Sequence, residues 1–131
     1  MQLVERTLDV LLTLSKESDG LSVSELAEKI NLPSSTTHRI LNALKKRHFV
    51  MQLSESKKYR LGYKVLTLSS NMIKEDNLAL TAKPFMKELA LKINKTVALC
   101  VIESESLICL DYVESKDTSM FMVRTGFAMP P

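Results

Sequence analysis

The 131-residue chain is poor in residues that interrupt helices, with only three glycines and four prolines. This scarcity favours helices over a turn-rich all-β fold. Tryptophan is absent and aromatic residues make up only 5%, so leucine, isoleucine and valine must build most of the core. Apolar residues account for 45% and charged residues for 25%, a balance that is typical of a folded domain and excludes a disordered chain.

Several functional signatures are also missing. The apolar runs are far shorter than the ~20 residues of a membrane helix, and no signal peptide is evident, so we expect a cytoplasmic protein without membrane contact. The sequence has no Gly-rich phosphate loop, nucleophile elbow or metal-spaced Cys/His cluster, so we expect no enzyme activity, cofactor or metal. Cys100 and Cys109 have apolar neighbours and are interpreted as small buried hydrophobes.

The net charge of +3 is unevenly distributed. Residues 1–66 contain eleven Lys and Arg against seven Asp and Glu, whereas residues 67–131 contain seven against eight. The window 34–64 is the most basic, with eight positive residues and Glu55 as its single acidic residue. A local excess of positive charge suits a polyanionic partner, although basic runs are more often simply solvated surfaces.

The first periodic stretch, residues 3–15, is apolar on two sides. One stripe contains Val4, Leu8, Leu11 and Leu12, and the other contains Leu3, Val10 and Leu14. A helix of this kind needs two partners. We expect one stripe to face its own domain, and the second stripe, with the helix near 64–74, to form a homodimer.

The next two helices have the spacing of a helix-turn-helix. Ser22 and Glu25 match a capping box at the start of a short helix that ends near Asn31. Pro33 suits the first turn of the third helix. The predicted buried face of that helix is Thr37, Ile40, Leu41 and Leu44. Strands at 49–53 and 59–61, joined by the polar residues 54–58, then predict a hairpin, or wing.

The exposed side of the third helix is the candidate DNA-reading face. In a helix-turn-helix this face enters the major groove, where Arg can pair with guanine and Asn with adenine. Basic residues on the wing would contact phosphates. The candidate DNA-binding residues are Ser34, Ser35, Thr36, His38, Arg39, Asn42, Lys46, Lys57, Lys58 and Arg60.

The second half predicts two more helices and a small sheet. The helix at 64–74 has Val65, Leu68, Ser69 and Met72 on one side, and a helix at 77–94 is expected to kink or restart at Pro84. Strands are predicted at 96–102 and 107–113, with a third possible at 121–124. The residues of the 77–94 helix expected to face inward are Leu78, Ala82, Phe85, Met86, Leu89 and Ile93.

Several runs resemble the IclR family in order and spacing. They are Val4–Leu8, Gly20–Ala27, Leu32–Leu41 and Tyr59–Gly62, followed by Ala82–Pro84, Leu89–Ala90, Asn94–Val97 and Asp111–Ser115. The resemblance implies a winged helix-turn-helix, a linker helix and a GAF-like ligand-sensing domain in a dimeric regulator of metabolic genes. Two departures stand out: Ser34 replaces a residue that is often basic in the family, and the wing turn has no glycine.

The predicted fold class is therefore α+β, in three segments. A winged helix-turn-helix occupies 1–62, with the helix-turn-helix at about 22–41 and the wing at about 49–61. A linker and dimerisation helix covers 63–76, and residues 77–131 resemble the opening, incomplete portion of a GAF-like effector domain. Family members are about twice as long, so we expect a small organic or aromatic acid to act as effector only in a full-length protein.

The predicted function is sequence-specific DNA binding by a transcriptional regulator, a dimeric repressor of a metabolic operon on a palindromic operator. The alternative is a winged-helix interaction or dimerisation module in which DNA binding is weak or lost. Retention on heparin or nonspecific duplex DNA across a salt gradient distinguishes the two. An enzyme is a third class, but His38 and His48 are far in sequence from Cys100 and Cys109 and suggest no shared site.

Overall fold

The computed structural model describes residues 1–74, 77–116 and 124–130. The chain divides into two compact units, Met1–Ser70 and Asn71–Pro131. The elements in chain order are α1 (Gln2–Ser15), α2 (Val23–Ile30), α3 (Ser34–Lys46), β1 (Val50–Gln52), β2 (Tyr59–Leu61), α4 (Lys64–Lys74), α5 (Asn77–Ile93), β3 (Val97–Glu103), β4 (Ser106–Val113) and β5 (Ala128–Met129).

The first unit packs three helices and a two-stranded sheet around one apolar core. Leu26 and Leu41 are fully buried at its centre, and helix α1 contacts α2, α3 and β2. The predicted inner face of α3 is confirmed, because Thr37, Ile40 and Leu41 are all buried. The core cluster comprises Val10, Leu14, Leu21, Leu26, Ile30, Ile40, Leu41, Leu44, Val50 and Tyr59.

Local hydrogen bonds fix where α2 begins and ends. The Glu25 backbone N–H donates to Ser22 Oγ over 3.1 Å, and the Ser22 N–H donates to Glu25 Oε1 over 3.0 Å, which completes the predicted capping box. At the other end Asn31 adopts a left-handed conformation with φ of 55°. The Leu32 N–H then donates back to the Ala27 carbonyl, so the chain leaves α2 in a tight turn.

The turn into α3 differs slightly from the prediction. Pro33 is the N-cap residue and lies just outside the helix, which begins at Ser34. Its carbonyl accepts hydrogen bonds from both the backbone N–H and the hydroxyl of Thr37, each at 3.0 Å. Proline has no side-chain acceptor to offer, so the first turn of α3 has no side-chain cap.

The outer stripe of α1 is not the predicted one. Val10 and Leu14, assigned to the second stripe, are buried in the core, whereas Val4, Leu8 and Leu12 are more than half exposed. The prediction failed because both sides of α1 are apolar, and spacing alone does not indicate which side meets the domain. Leu3 is also exposed, and the apolar surface that remains on this helix is therefore Leu3, Val4, Leu8 and Leu12.

The second unit packs α5 against the first two strands of an antiparallel sheet ordered β3–β4–β5. Strand β3 pairs with β4 from Val97 opposite Val113 to Glu103 opposite Ser106, with a bulge after Leu99. The possible strand at 121–124 falls mostly outside the described residues. Strand β4 pairs on its other side with β5.

Helix α5 buries a face different from the predicted one. Ala79, Met86 and Ala90 are buried, and only Met86 and the half-buried Ala82 were correctly predicted to face inward. Leu78, Phe85, Leu89 and Ile93 are between 45% and 70% exposed. The apolar surface of α5 is wider than the face that packs, and its small alanines allow close approach to the sheet. Pro84 lies within the helix, which continues without restarting.

The described part of the chain contains neither a membrane-spanning helix nor a cluster of metal ligands. None of the helices in the described part of the chain is long and apolar enough to cross a membrane. Within the same ranges, no three His, Cys, Asp or Glu side chains are grouped so that they could hold a metal ion.

Candidate nucleic-acid interface

The outward face of α3 is polar along its length. Ser35, His38, Arg39, Asn42 and Lys46 are all exposed. Ser34 is exposed at the first helical position and Thr36 is half-buried beside it. The structure thus brings the seven predicted α3 residues onto one surface, opposite the buried Thr37, Ile40 and Leu41.

The N-terminus of α3 is suited to anions. No side chain caps it, and its first turn contains no acidic residue. The backbone N–H groups of this turn therefore keep their hydrogen-bonding capacity, and the helix dipole favours negative charge there. The hydroxyls of Ser34 and Ser35 flank the same turn, whereas the Thr37 hydroxyl already donates to Pro33. A phosphate at this end would meet hydrogen-bond donors. Ser34 stands where the family resemblance implies a basic residue, so that charge would be missing from the contact.

The wing is a hairpin with a four-residue loop, residues 54–57. Leu53 and Lys58 close the loop, with the Leu53 N–H donating to the Lys58 carbonyl over 2.8 Å. The Lys57 N–H donates to the Leu53 carbonyl, and Lys57 takes a left-handed conformation with φ of 63°. The wing turn contains no glycine, and Lys57 adopts the conformation that glycine usually supplies.

The three basic wing residues have different surroundings. Lys57 is exposed at the loop, and no ion pair involves it within the described ranges. Lys58 is half-buried, with Nζ 4.0 Å from Glu25 Oε1. The Nε–H of Arg60 donates to the Met51 sulfur over 3.3 Å, which leaves its terminal nitrogens for other partners. Lys57 is therefore the most accessible of the three basic side chains of the wing.

Two residues outside the predicted site connect α3 to the wing. Lys45 Nζ donates to Gln52 Oε1 over 3.1 Å, and Gln52 Nε2 donates to the Lys57 carbonyl over 3.1 Å. Lys45 belongs to the basic window 34–64, but its position in the sequence did not distinguish it from the other lysines of that window. Arg47, which caps the C-terminus of α3, is another exposed cation that the prediction omitted.

The wing is also attached on its other edge. Leu21 forms an isolated antiparallel bridge with Tyr59, through hydrogen bonds of 2.9 and 2.7 Å. Gly20 precedes it with φ of 85°, and a Cβ there would lie 2.7 Å from the Tyr59 carbonyl oxygen. Because Leu21 immediately precedes the Ser22 cap of α2, this bridge holds β2 against the start of the helix-turn-helix.

One acidic side chain borders the wing, and its pKa follows from the cap. The Ser22 backbone N–H, and then the Ser22 hydroxyl, lower the pKa of Glu25 below its ordinary value, with a smaller contribution from Lys58. Glu25 is consequently ionised near neutral pH and partly offsets the charge of Lys58.

In the second unit an ion pair connects α5 to β4. Lys83 Nζ lies 3.1 Å from both carboxylate oxygens of Asp111 and 3.4 Å from the Tyr112 carbonyl oxygen. Asp111 Oδ1 also accepts the Tyr112 backbone N–H over 2.9 Å. These charges are satisfied by one another, so the pair has a structural role and offers no open ligand site.

A helix-turn-helix followed by a hairpin that is hydrogen-bonded to its third helix is a winged helix-turn-helix, a nucleic-acid-binding class of module. Two family models match the chain, the IclR helix-turn-helix domain over residues 3–54 and the C-terminal part of the bacterial transcriptional regulator IclR over residues 70–130. The chain belongs to the IclR family.

Individual relatives agree with this assignment. The acetate operon repressor of Salmonella typhimurium is 26% identical over 132 residues, covering 99% of this chain and 48% of the repressor. The crystal structure of an IclR-family regulator from Brucella abortus has a TM-score of 0.85 at 26% identity, covering 99% of this chain and 49% of that one.

A further structure shares the fold. It is an IclR homologue from Microbacterium hydrocarbonoxydans in complex with 4-hydroxybenzoate, with a TM-score of 0.77 at 22% identity, covering 98% of this chain and 53% of that one. The chain thus spans about half the length of the relatives that it matches.

Proposed function

We propose that the first unit binds double-stranded DNA sequence-specifically and regulates transcription. The observation that carries the proposal is the continuous polar surface of α3, which begins at an uncapped helix N-terminus and is joined to the wing through Lys45 and Gln52. Arg39 and Asn42 lie on the exposed face and are suited to base edges. Ser34, Ser35, Lys57 and the terminal nitrogens of Arg60 are suited to phosphates.

A homodimer completes the proposal. Val4, Leu8 and Leu12 repeat every four residues along the exposed side of α1, and helix α4 has no buried residue at all. Leu66 and Leu68 on α4 are 64% and 54% exposed. We propose that these apolar surfaces meet their counterparts in a second copy. Two-fold symmetry would then match a palindromic site whose half-sites are about one DNA turn, or a multiple of it, apart.

Repression and effector control are carried over from the family. We propose that the regulator represses a metabolic operon by occupying its operator, as the name of the Salmonella relative indicates for that protein. We further propose domain limits of 1–62, 63–76 and 77–131, and a small organic or aromatic acid as effector of the full-length protein. The Microbacterium homologue in complex with 4-hydroxybenzoate is consistent with this ligand class.

The decisive experiment is a DNA-binding titration at several salt concentrations. Arg39→Ala should weaken binding to the operator, selected from random duplexes, by roughly 1–3 kcal/mol and should affect nonspecific duplex much less. Lys95→Ala is the control, because it removes an exposed charge from the second unit. Unchanged operator affinity for Arg39→Ala would exclude this face as the reader. A chain that elutes from duplex DNA at low salt would instead be an interaction module.

A further inference from the structure

The two cysteines, separated by eight residues in sequence, lie opposite each other in the sheet of the second unit. Cys100 on β3 and Cys109 on β4 are register partners in antiparallel strands, so their side chains project from the same face. Both are free thiols. Their apolar neighbours predicted burial, but the sequence did not predict this pairing, because the bulge after Leu99 sets the register.

The backbone hydrogen bonds identify the type of pair. The Cys109 N–H donates to the Phe127 carbonyl over 2.9 Å, and the Cys109 carbonyl accepts the Gly126 N–H over 2.7 Å. Both groups therefore point away from β3, which makes Cys100 and Cys109 a non-hydrogen-bonded pair. The Cα atoms of such pairs are about 4.5 Å apart, within the range of roughly 4.4–6.8 Å that a disulfide spans.

The two thiols differ in accessibility. Cys109 is fully buried, whereas Cys100 is half-buried. Burial raises the pKa of the Cys109 thiol, and the adjacent Cys100 sulfur raises it further. An oxidant from solvent should therefore react with Cys100 first, and Cys109 should react only with a sulfur already beside it.

We propose that Cys100 and Cys109 form a reversible intramolecular disulfide when the protein meets a peroxide. The Cys100 thiol releases its proton, and the thiolate attacks one peroxide oxygen. The O–O bond breaks, the leaving hydroxide takes up the proton to become water, and Cys100 becomes a sulfenic acid. The Cys109 sulfur then attacks the Cys100 sulfur, the S–O bond breaks, and the Cys109 proton leaves with the hydroxyl as a second water. Two thiols lose two electrons and one hydrogen peroxide is reduced to two waters.

The disulfide would covalently connect the two strands on which α5 packs. It joins β3 to β4 next to the bulge, and Asp111, the partner of Lys83, lies two residues beyond Cys109. A disulfide at this position restricts the unfolded chain and fixes the register of the hairpin. We expect oxidation to raise the unfolding temperature of the second unit by roughly 10–20 °C.

The test is oxidation of the whole chain by hydrogen peroxide, followed by alkylation and intact-mass measurement. The wild-type protein should lose about 2 Da, take up no alkylating agent, stay free of cross-linked dimers and recover both thiols with dithiothreitol. Cys109→Ser should instead stop at a sulfenic acid, with a gain of about 16 Da that dimedone traps. Cys100→Ser should leave Cys109 unoxidised while the protein remains folded.

Two results would overturn the proposal. One is accumulation of the same sulfenic or sulfinic product in the wild type and in Cys109→Ser, because Cys109 would then not resolve the intermediate. The other is disulfide formation that is faster in concentrated urea than in the folded protein, because the folded register would then hinder the reaction. Faster cross-linking in the folded protein supports the direct opposition of Cys100 and Cys109 in the sheet.

Discussion

Replacing Lys57 by glycine should stabilise the protein while weakening its binding to DNA. Lys57 closes the wing loop with φ of 63°, a conformation that costs a side-chain-bearing residue about 1–2 kcal/mol. Glycine adopts it without strain, but loses about 0.5–1 kcal/mol more than other residues when the backbone is ordered. The net gain for Lys57→Gly is therefore about 0.5–1 kcal/mol.

The backbone around residue 57 allows this change. The hydrogen bonds at this residue, from its N–H to Leu53 and from Gln52 to its carbonyl, use backbone atoms that glycine also has. A gain of that size corresponds to a rise of roughly 2–8 °C in the unfolding midpoint of a domain of this length. The lost cation removes one phosphate contact, which should reduce the slope of log affinity against log salt by about 0.9.

The assay pairs differential scanning calorimetry with DNA titrations from low to moderate salt. Lys57→Gln is the matched control, because it removes the charge and keeps the left-handed strain. It should show the same loss of salt dependence with little change in the unfolding midpoint. A lower midpoint for Lys57→Gly would refute the strain argument. An unchanged salt slope in both variants would show that Lys57 contacts no phosphate.

Two further predictions concern backbone space and pH. A Cβ at Gly62 would lie 2.3 Å from the His48 carbonyl oxygen, so Gly62→Ala should lower the unfolding free energy by about 3 kcal/mol. At Gly126, with φ of 86°, a Cβ would meet no atom, so Gly126→Ala should lower it by only about 1 kcal/mol. Urea titrations measure both changes. Because folding lowers the pKa of Glu25, its contribution to stability is full above the ordinary pKa of a glutamate and is lost as the pH falls through the folded pKa. The difference in thermal midpoint between the wild type and Glu25→Gln should therefore be constant from pH 7 to about pH 5 and shrink below it; a constant difference down to pH 3 would contradict this.

Apart from the orientation of α1, the first unit could be predicted closely because its signals are local. The capping box at Ser22 and Glu25 fixes one helix start. On α3, Ile40, Leu41 and Leu44 mark a single apolar face. Once this face is known to be buried, helical geometry indicates which polar side chains are exposed on the opposite side. Hydrogen bonds within a few residues decide these features, so spacing in the sequence is sufficient evidence. The link through Lys45 and Gln52 was beyond such reasoning, because it depends on how the hairpin folds back over α3.

The second unit was harder to predict because its decisive contacts are nonlocal. Leucines and Phe85 lie on several sides of α5, so the spacing of apolar residues was compatible with more than one buried face. The sheet selects the face with Ala79 and Ala90, since small residues allow the closest approach. The opposition of Cys100 and Cys109 likewise depends on a bulge that no residue of the turn predicts. The buried face of α5 and the register of the two cysteines could not be predicted for the same reason. In each case several local patterns fit the sequence equally well, and the packing of the helix on the sheet or the pairing of the strands selects one of them.

Helix α1 has two apolar sides with different roles, and a pair of variants separates them. Leu8 is 52% exposed on the proposed dimer surface, whereas Leu14 is 2% exposed in the core. Leu8→Gln should halve the mass measured by light scattering and weaken operator binding, while the far-ultraviolet circular dichroism stays that of the folded protein. Leu14→Ala should keep the dimer at low temperature but lower the unfolding free energy by about 2–5 kcal/mol, because it leaves a cavity in the core of the first unit.

The two variants also distinguish folding from association. If Leu8→Gln retains the wild-type mass at tens of micromolar protein and binds operator as tightly as before, the Val4, Leu8 and Leu12 stripe is not the interface. A dimer would then have to form through another surface, such as α4, which exposes Leu66, Leu68, Met72 and Ile73. A wild-type chain that is monomeric both free and on DNA would remove the basis for a palindromic operator, since a single winged helix reads one half-site.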